Sequence, residues 1–290
     1  MFKKAVFTDE ISQDFQKAVD VAQEYGLDGL EIRSVWDTPP QKITADQVAQ
    51  MKKVLAKTNL KVCSIASPFY KCAIDSPKER QEHIEILRSC IRLARTFKCS
   101  VIRGFTFWRK GGVEEYWQQV LDGFDEPVKI LKAEGITLGI ENENSTMIGT
   151  GKVLRRFLDE LGSPNVRAIW DACNSFADDL VKEVPYPDGY EAIKSHIVHV
   201  HLKDAARDKK TNATLNMPVG EGEIDFSGHM KALLKDAYTG YVSLETHWRP
   251  KQLSREEIDR PGGASYSKDG EYASRRCLEN WKKIMDSLKA

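Results

Sequence analysis

Four residues with metal-ligand chemistry each stand at the end of a short, largely apolar run of sequence. Side chains on a β-strand alternate between its two faces, so His199 and His201 in "IVHVHL" would share one face, opposite the valines. A strand this apolar is typical of a protein interior. A buried imidazole there needs a hydrogen-bond partner or a metal ion. The four residues are Glu141 in "GIENEN", Asp171 in "AIWDACN", His201 in "IVHVHL" and Glu245 in "SLETHW".

Three carboxylates and one imidazole, brought together in a buried site, indicate a divalent cation. Without it, mutual repulsion and desolvation would destabilise the cluster. Three oxygen ligands and one nitrogen favour Mn²⁺ first, with Co²⁺, Zn²⁺, Fe²⁺ and Mg²⁺ as alternatives. A single carboxylate at a strand end is usually a helix N-cap or a solvated loop residue, but four in register argue against coincidence. We predict that His199 is a packed core residue and not a ligand.

Further polar residues stand at or just beyond other strand ends. Together they predict a polar bowl around the metal ion, suited to a polyhydroxylated ligand that can carry an anionic group. The residues assigned to this bowl by position are Glu31, Arg103, Lys203, Asp204, Arg207, His247 and Arg249.

The elements that must position these residues alternate between short strands and amphipathic helices. Helices are indicated at 14–26 and 125–135, with Gly26 and Gly135 as C-caps, and at 79–97. Eight strand–helix units in 290 residues favour an α/β protein with a (β/α)₈ TIM barrel, as one domain over 1–290. The first unit has no GxGxxG, which argues against a doubly wound sheet. The predicted strands are 3–7, 29–33, 61–66, 100–105, 136–141, 166–171, 197–202 and 241–245.

The carboxyl ends of barrel strands carry the active site in this fold, so the four ligand-type residues would converge there. Two long connections begin at the same end, 207–226 and 247–270. Loops of this length in a compact domain are usually functional. We interpret them as candidate lids, with hinges at Gly220 and Gly222 in the first and at Pro261, Gly262 and Gly263 in the second. A passive surface excursion, or packing against a second subunit, is the alternative.

Composition sets bounds on the partners. The 43 basic and 43 acidic residues give a formal net charge of zero, so the chain offers no positive field for a nucleic-acid backbone. No apolar run is long enough to predict a membrane span or a signal peptide. Six cysteines without a CxxC pair are typical of reduced thiols in the cytoplasm. The predicted partner is a small-molecule carbohydrate, and a homo-oligomer stays open.

The motifs "GIEN", "WDACN", "HVHLKDA", "PVGEGEIDF" and "YVSLE" resemble the sugar phosphate isomerase/epimerase family, which has a xylose isomerase-like TIM barrel. The resemblance covers nearly the whole chain. It implies one divalent metal ion on Glu141, Asp171, His201 and Glu245, with Glu141 and Glu245 also serving as the acid/base pair. Glu31 fits an early family position, and Arg207 matches a substrate-contacting arginine. Asn174, also assigned to substrate binding, replaces the histidine that many members carry three residues after the aspartate.

Three reactions can follow from one first step at such a site. A metal chelated by a carbonyl and a neighbouring hydroxyl acidifies the C–H between them, and a glutamate can remove that proton to give a metal-stabilised enediolate. Proton return from the other face gives epimerisation, and return to the neighbouring carbon gives aldose–ketose isomerisation. Loss of a β-hydroxyl gives dehydration. The sequence predicts a metal-dependent isomerase or epimerase of a sugar, keto-sugar or sugar derivative.

Three other functions are alternatives. A lyase acting on a keto-sugar or keto-inositol, similar to inosose dehydratase, would use the same site. An endonuclease IV-like DNA repair enzyme would need extra histidines for a multinuclear zinc site, and strands three ("SIASPF") and four ("IRGFTF") lack them. A non-catalytic carbohydrate-binding barrel would not need two glutamates facing a metal.

Overall fold

The predicted (β/α)₈ architecture is confirmed in the computed structural model of the chain, which describes residues 1–251 and 264–289. Eight parallel strands form a closed barrel in the order β1, β10, β7, β6, β5, β4, β3, β2, and β8 and β9 form a separate two-stranded sheet. The strands are β1 (Lys3–Phe7), β2 (Gly29–Ile32), β3 (Lys61–Phe69), β4 (Val101–Gly104), β5 (Thr137–Glu141), β6 (Val166–Asp171), β7 (Ile197–Leu202), β8 (Asp204–Arg207), β9 (Thr214–Met217) and β10 (Tyr241–Leu244).

Helices follow the barrel strands. They are α1 (Thr8–Ile11), α2 (Phe15–Glu24), α3 (Ala45–Leu55), α4 (Pro77–Thr96), α5 (Val113–Asp122), α6 (Asp125–Glu134), α7 (Gly151–Leu161), α8 (Ala172–Ala177), α9 (Tyr190–Ile193), α10 (Phe226–Lys235), α11 (Ala264–Ser267) and α12 (Gly270–Ser287). Short 3₁₀ helices lie at Pro40–Lys42 and Lys194–His196, and a π-type turn lies at Pro185–Gly189. In the described part of the chain, no helix combines the length and the apolar character that a membrane crossing requires.

The helix ends follow from local chemistry that the sequence shows. Asp14 caps α2 by accepting from the amide of Gln16 at 2.9 Å. Gly26 and Gly135 both adopt left-handed backbone, with φ of +59° and +63°, just after α2 and α6. Glycine takes this conformation without steric cost. Gly135 is the C-cap of α6, as predicted, whereas the C-cap of α2 is Tyr25 and Gly26 lies one residue beyond it.

Strand β3 is longer than predicted. The predicted strand ends at residue 66, and Pro68, which cannot donate to a ladder of hydrogen bonds, follows shortly after it. The structure continues the strand to Phe69, with a register irregularity against β4 between Ile65 and Phe69. A bulge of this kind tolerates proline because it interrupts the regular ladder of hydrogen bonds.

The connection after β7 contains a hairpin that the sequence analysis missed. Strands β8 and β9 pair antiparallel, with Asp204 opposite Met217 and Arg207 opposite Thr214. The side chain of Asp208 starts the turn by accepting from the amide of Thr211 at 2.8 Å. The 207–226 segment is therefore partly regular structure and not a plain loop.

The chain divides by its internal packing into two compact units, residues 1–63 with 201–290 and residues 64–200. In the first unit, β1 pairs with β10 and with β2, which places Glu31 in register with Phe7. In the second, β5 pairs with β4 and β6, which places Glu141 in register with Ile169. The single domain over 1–290 remains a prediction. The proposed hinge at Pro261, Gly262 and Gly263 lies outside the described residues.

Candidate active site

His201 occupies a buried position near the carboxyl end of β7. Its ring meets that of Phe7 edge to face, with 5.0 Å between the ring centroids. Nε2 lies 3.4 Å from Oε1 of the buried Glu31, and Nδ1 lies 3.9 Å from Oε2 of Glu245. The predicted nitrogen ligand and two predicted polar residues are therefore neighbours.

Glu245, one residue beyond β10, is a buried carboxylate surrounded by basic groups. Its Oε2 accepts from Nζ of Lys203 at 3.0 Å, and its Oε1 accepts from Nη1 of Arg33 at 3.0 Å. Nε2 of His247 lies 3.3 Å from Oε1. Burial alone would raise the pKa of Glu245, but the interactions with Lys203 and His247 outweigh it and hold that pKa well below its usual range. Glu245 is consequently ionised at neutral pH.

Asp9 and Glu10 form a buried acidic pair that the sequence analysis missed. They follow β1 directly, within α1. Nε of Arg33 donates to Asp9 at 2.9 Å, and Nη2 donates to Glu10 at 2.6 Å. Burial raises the pKa of Asp9, although Arg33 opposes the shift. Because the same guanidinium binds Glu245, this network fixes the position of that carboxylate. The available signal was "TDE" directly after the first predicted strand, at the catalytic end of the fold.

Arg249 has its guanidinium engaged by protein acceptors, which favours a structural role over the predicted substrate contact. Nη2 donates to Oε2 of Glu10 at 2.6 Å, and Nε donates to the carbonyl of Lys268 at 2.9 Å. Nη1 donates to the carbonyls of Thr246 and Trp248. The side chain is only 2% exposed. Arg249 thus ties the chain beyond β10 to α1 and to the residues just before α12.

Glu141, the last residue of β5, has both carboxylate oxygens held by neighbours. Nη1 of Arg103 donates to Oε2 at 3.1 Å, and Nδ2 of Asn174 donates to Oε1 at 3.0 Å. All three side chains are buried. The structure thus brings two predicted substrate-binding residues onto the predicted acid/base, while their contact with a substrate stays a prediction.

Asp171 ends β6 and is positioned by the backbone around it. Its Oδ1 caps α8 by accepting from the amide of Asn174 at 3.0 Å. The side chain of Asn142, which the sequence analysis did not single out, bridges two strand ends. Its Nδ2 donates to the Asp171 carbonyl at 2.8 Å, and its Oδ1 accepts from the Asp171 amide at 2.9 Å. This bridge holds Asp171 beside Glu141, the residue before Asn142.

The four predicted metal ligands, Glu141, Asp171, His201 and Glu245, are all buried. Each of them offers one ligand atom, and these four atoms lie within 4.8 Å of one another. Three carboxylates at such separations are stabilised by a cation, and three oxygen donors with one imidazole suit a divalent first-row ion. The donor set therefore fits a metal ion.

Arg207 lies at the end of β8, in the hairpin. Its backbone amide donates to Oε1 of Glu223 at 2.9 Å, and its Nη1 donates to the carbonyl of Asn212 at 3.3 Å. The guanidinium therefore contacts the turn of the hairpin. The substrate contact implied for Arg207 stays a prediction.

Asp204 anchors the glycine-containing segment after β9. Its Oδ2 accepts from the amides of Gly220 and Gly222 at 2.8 and 3.0 Å. A Cβ on Gly222 would lie 2.2 Å from Oδ1 of Asp204, so close approach explains this glycine. Burial raises the pKa of Asp204 to about 6, although the glycine amides oppose the shift. The predicted hinge is thus held by hydrogen bonds in this conformation.

Comparisons with known proteins agree with the barrel fold. The family model described as xylose isomerase-like TIM barrel matches residues 19–263. L-ribulose-5-phosphate 3-epimerase UlaE of Salmonella heidelberg (strain SL476) is 25% identical over 238 residues, which cover 79% of this chain and 81% of that protein.

Two solved structures share the fold over nearly their whole length. The IOLI protein, crystallised with a zinc atom, superposes with a TM-score of 0.75 at 16% identity, and the match covers 99% of both chains. D-allulose 3-epimerase from Methylomonas sp., in complex with D-allulose, gives a TM-score of 0.70 at 19% identity and covers 98% of this chain and 97% of that one. At these identities the likeness shows the fold alone.

Proposed function

The chain belongs to the xylose isomerase-like TIM barrel family, and from that premise we propose that it is a divalent-metal-dependent isomerase or epimerase acting on a keto sugar. The observation that carries the proposal is the buried group of three carboxylates and one imidazole at strand ends. The substrate class is supported by the sugar epimerases among the relatives, one of which acts on L-ribulose 5-phosphate and one of which was solved with D-allulose.

Glu141, Asp171, His201 and Glu245 would hold the ion. When bound, a divalent ion polarises a sugar carbonyl and lowers the pKa of the adjacent C–H. We keep Mn²⁺ as the first candidate because three of the four donors are carboxylates. The zinc atom of the IOLI protein makes Zn²⁺ the second ion to test.

Glu141 and Glu245 are the proposed proton-transfer groups. Their strands, β5 and β10, are separated by β6 and β7 in the strand order. We assign the two carboxylates to opposite faces of the substrate. An ionised glutamate accepts the proton of the acidified C–H, and the electron pair stays on the substrate as an enediolate. The partner glutamate, protonated, returns a proton to the opposite face, which inverts that carbon.

Each proposed proton-transfer group has an arginine that fixes its orientation. Arg103 binds Oε2 of Glu141, and Arg33 binds Oε1 of Glu245. The other oxygen of each carboxylate also accepts a hydrogen bond, from Asn174 for Glu141 and from Lys203 for Glu245. An arginine restricts the rotamers of a carboxylate and keeps it near the reacting carbon, which is how positioning lowers a barrier.

The test is incorporation of solvent deuterium by the metal-loaded protein. D-allulose, D-tagatose, L-ribulose, the terminal phosphate ester of each, and an inosose are incubated in D₂O with Mn²⁺ or Zn²⁺, and products are identified by mass and NMR. We expect one deuterium at the carbon beside the carbonyl, together with the epimer or the aldose. Loss of water from the inosose would instead establish the lyase. Absence of exchange with every compound would overturn both.

Substitution of the two glutamates separates protein catalysis from background exchange. Glu141→Gln and Glu245→Gln should each lower the exchange rate by roughly 10²–10⁴-fold, as expected for loss of a general acid or base. Glu82→Gln is the matched control, because Glu82 is an exposed glutamate on α4 that pairs with Lys78. Near-normal rates in either site variant would place the proton chemistry elsewhere.

A further inference from the structure

Lys71 and Glu143 form a half-buried ion pair that the proposed chemistry does not use. Nζ of Lys71 lies 3.4 Å from Oε2 of Glu143, and the side chains are 18% and 14% exposed. Glu143 stands two residues beyond Glu141, the last residue of β5, and begins the turn that follows this strand. Asn142, between them, is turned toward the backbone of Asp171. Lys71 likewise stands two residues beyond the end of β3, so the pair joins the segments that follow the carboxyl ends of β3 and β5.

Aromatic side chains connect this pair to Glu141. Nζ of Lys71 lies 4.4 Å from the ring centroid of Phe105 and 5.5 Å from that of Trp108. The guanidinium carbon of Arg103 lies 4.9 Å from the same Phe105 centroid, and Arg103 binds Glu141. The ring of Phe105 thus contacts both Lys71 and Arg103, the residue that binds Glu141.

Main-chain hydrogen bonds hold the segments that carry the pair. The amides of Phe105, Phe107 and Trp108 donate to the carbonyls of Phe69, Tyr70 and Cys72, each at 2.9 Å. The amide of Arg109 donates to the carbonyl of Ser145, also at 2.9 Å. These bonds join the chain after β3 to that after β4, and the chain after β4 to that after β5. The pair is therefore preorganised, which lowers the entropic cost of binding a ligand there.

We propose that Lys71, Glu143 and Trp108 form a subsite for the hydroxyl-bearing tail of the sugar, the end away from the carbonyl. The subsite selects an uncharged tail over a phosphorylated one. The inference rests on the proposed function and adds to it the class of substrate, a free ketose.

The chemistry of the pair matches vicinal hydroxyls. An ammonium group offers donors alone and an ionised carboxylate offers acceptors alone, whereas each hydroxyl both donates and accepts. Two neighbouring hydroxyls can thus bind Lys71 and Glu143 together, while the C–H face of the sugar packs against Trp108. A phosphate would meet the charge of Glu143, and Lys71 already pairs with that charge. Like charges in a partly buried site disfavour such binding.

The test compares each ketose of the panel, D-allulose, D-tagatose and L-ribulose, with its terminal phosphate ester. For the ketose that the metal-loaded wild-type protein exchanges fastest, we expect kcat/KM at least about tenfold above that of its ester. A protein that exchanges the esters in preference would overturn the subsite and leave the proposed function standing. A protein that exchanges neither class would overturn the proposed function instead.

Two substitutions test the residues themselves. Lys71→Met should raise KM for the free ketose by about tenfold with little change in kcat, because the contact is equal in ground and transition states. Glu143→Gln should lower the ratio of kcat/KM for the free ketose to kcat/KM for its phosphate ester, because the charge that repels the phosphate is gone. Lys78→Met is the control, an exposed lysine paired with a glutamate on α4. Unchanged KM and unchanged preference in both site variants, with normal circular dichroism, would overturn the assignment.

Discussion

His201 supplies the single nitrogen donor of the proposed metal site. Its replacement therefore tests more clearly than that of a carboxylate whether the side chain binds the metal ion or only packs in the core. Its ring packs edge to face on Phe7 and lies between the carboxylates of Glu31 and Glu245. An alanine would remove the donor and leave a cavity lined partly by acidic groups.

We predict that His201→Ala loses the bound metal ion while the barrel stays folded. Elemental analysis after gel filtration measures the metal, and far-UV circular dichroism measures the fold. His229→Gln serves as the comparison, because His229 is a buried histidine on α10 outside the group of four and should keep full occupancy. A fully loaded His201→Ala protein would show that the imidazole is not a ligand.

The residues of the candidate site differ in how visible they are from sequence. Glu141 and His201 could be predicted because each stands at or next to the end of a strand that the sequence predicts. Arg33 could not be placed, because its bond to Glu245 joins positions 212 residues apart, and spacing carries no information on such a pair. Arg249 was assigned to the substrate from its chemistry, but the same fork of donors suits carbonyls and a buried carboxylate equally well.

Among the elements, the chain that follows β10 depends on Arg249. This side chain bonds Glu10 in α1 and the carbonyls of Thr246, Trp248 and Lys268. We predict that Arg249→Met destabilises the protein by about 3–5 kcal/mol, since it leaves Glu10 with one guanidinium fewer in a buried site. Urea unfolding measures the change.

An exposed arginine gives the matched comparison. Arg88→Met, on α4, removes surface ion pairs to Glu85 and Glu126 at 3.6 Å and should change stability by less than about 0.5 kcal/mol. If Arg249→Met were as stable as the wild type but bound the sugar weakly, the original interpretation of Arg249 as a substrate contact would be favoured.

The β8–β9 hairpin is an element that the sequence pattern does not predict. "DAAR" has no β-branched residue and alternates poorly, so its pairing with "TLNM" depends on tertiary contacts and not on propensity. The strands of the barrel were found because their apolar runs are bounded by turn residues. What holds the hairpin to the following segment is Asp204, through the amides of Gly220 and Gly222.

Asp204 makes this part of the fold sensitive to pH. Burial raises its pKa to about 6 in the folded protein, from 3.8 for an ordinary aspartate. Between pH 3.8 and about 6, Asp204 is protonated in the folded state and ionised in the unfolded state. The contribution of this proton to the free energy of unfolding is therefore complete below pH 4 and is lost as the pH rises through about 6. We predict that the stability difference between wild type and Asp204→Asn falls by a few kcal/mol between pH 4 and pH 7. A difference that stays constant over this range, in urea titrations, would contradict the shifted pKa.

For the whole molecule, the proposed metal ion should couple ligand binding to stability. Three of the four proposed ligands are buried carboxylates whose repulsion a divalent ion relieves. We predict that removal of metal with EDTA lowers Tm and that Mn²⁺ restores it, because an ion at 100 times its Kd adds about 2.7 kcal/mol to the free energy of unfolding. Differential scanning calorimetry measures both steps. An identical Tm with and without metal, in a protein shown to have lost its metal, would contradict binding at this group.

The bond between Glu10 and Arg249 has a consequence for the growing polypeptide. The two residues lie 239 positions apart, so at roughly 5–20 residues per second Glu10 leaves the ribosome on the order of tens of seconds before its partner exists. Strand β1 is made about equally long before β10, with which it pairs at Ala5 and Ser243. Nascent chains stalled before residue 249 should therefore leave their first strand open to protease, and protection should appear once the arginine has emerged. The first strand thus becomes native only after β10 and Arg249, more than 200 residues later in the chain, have been made.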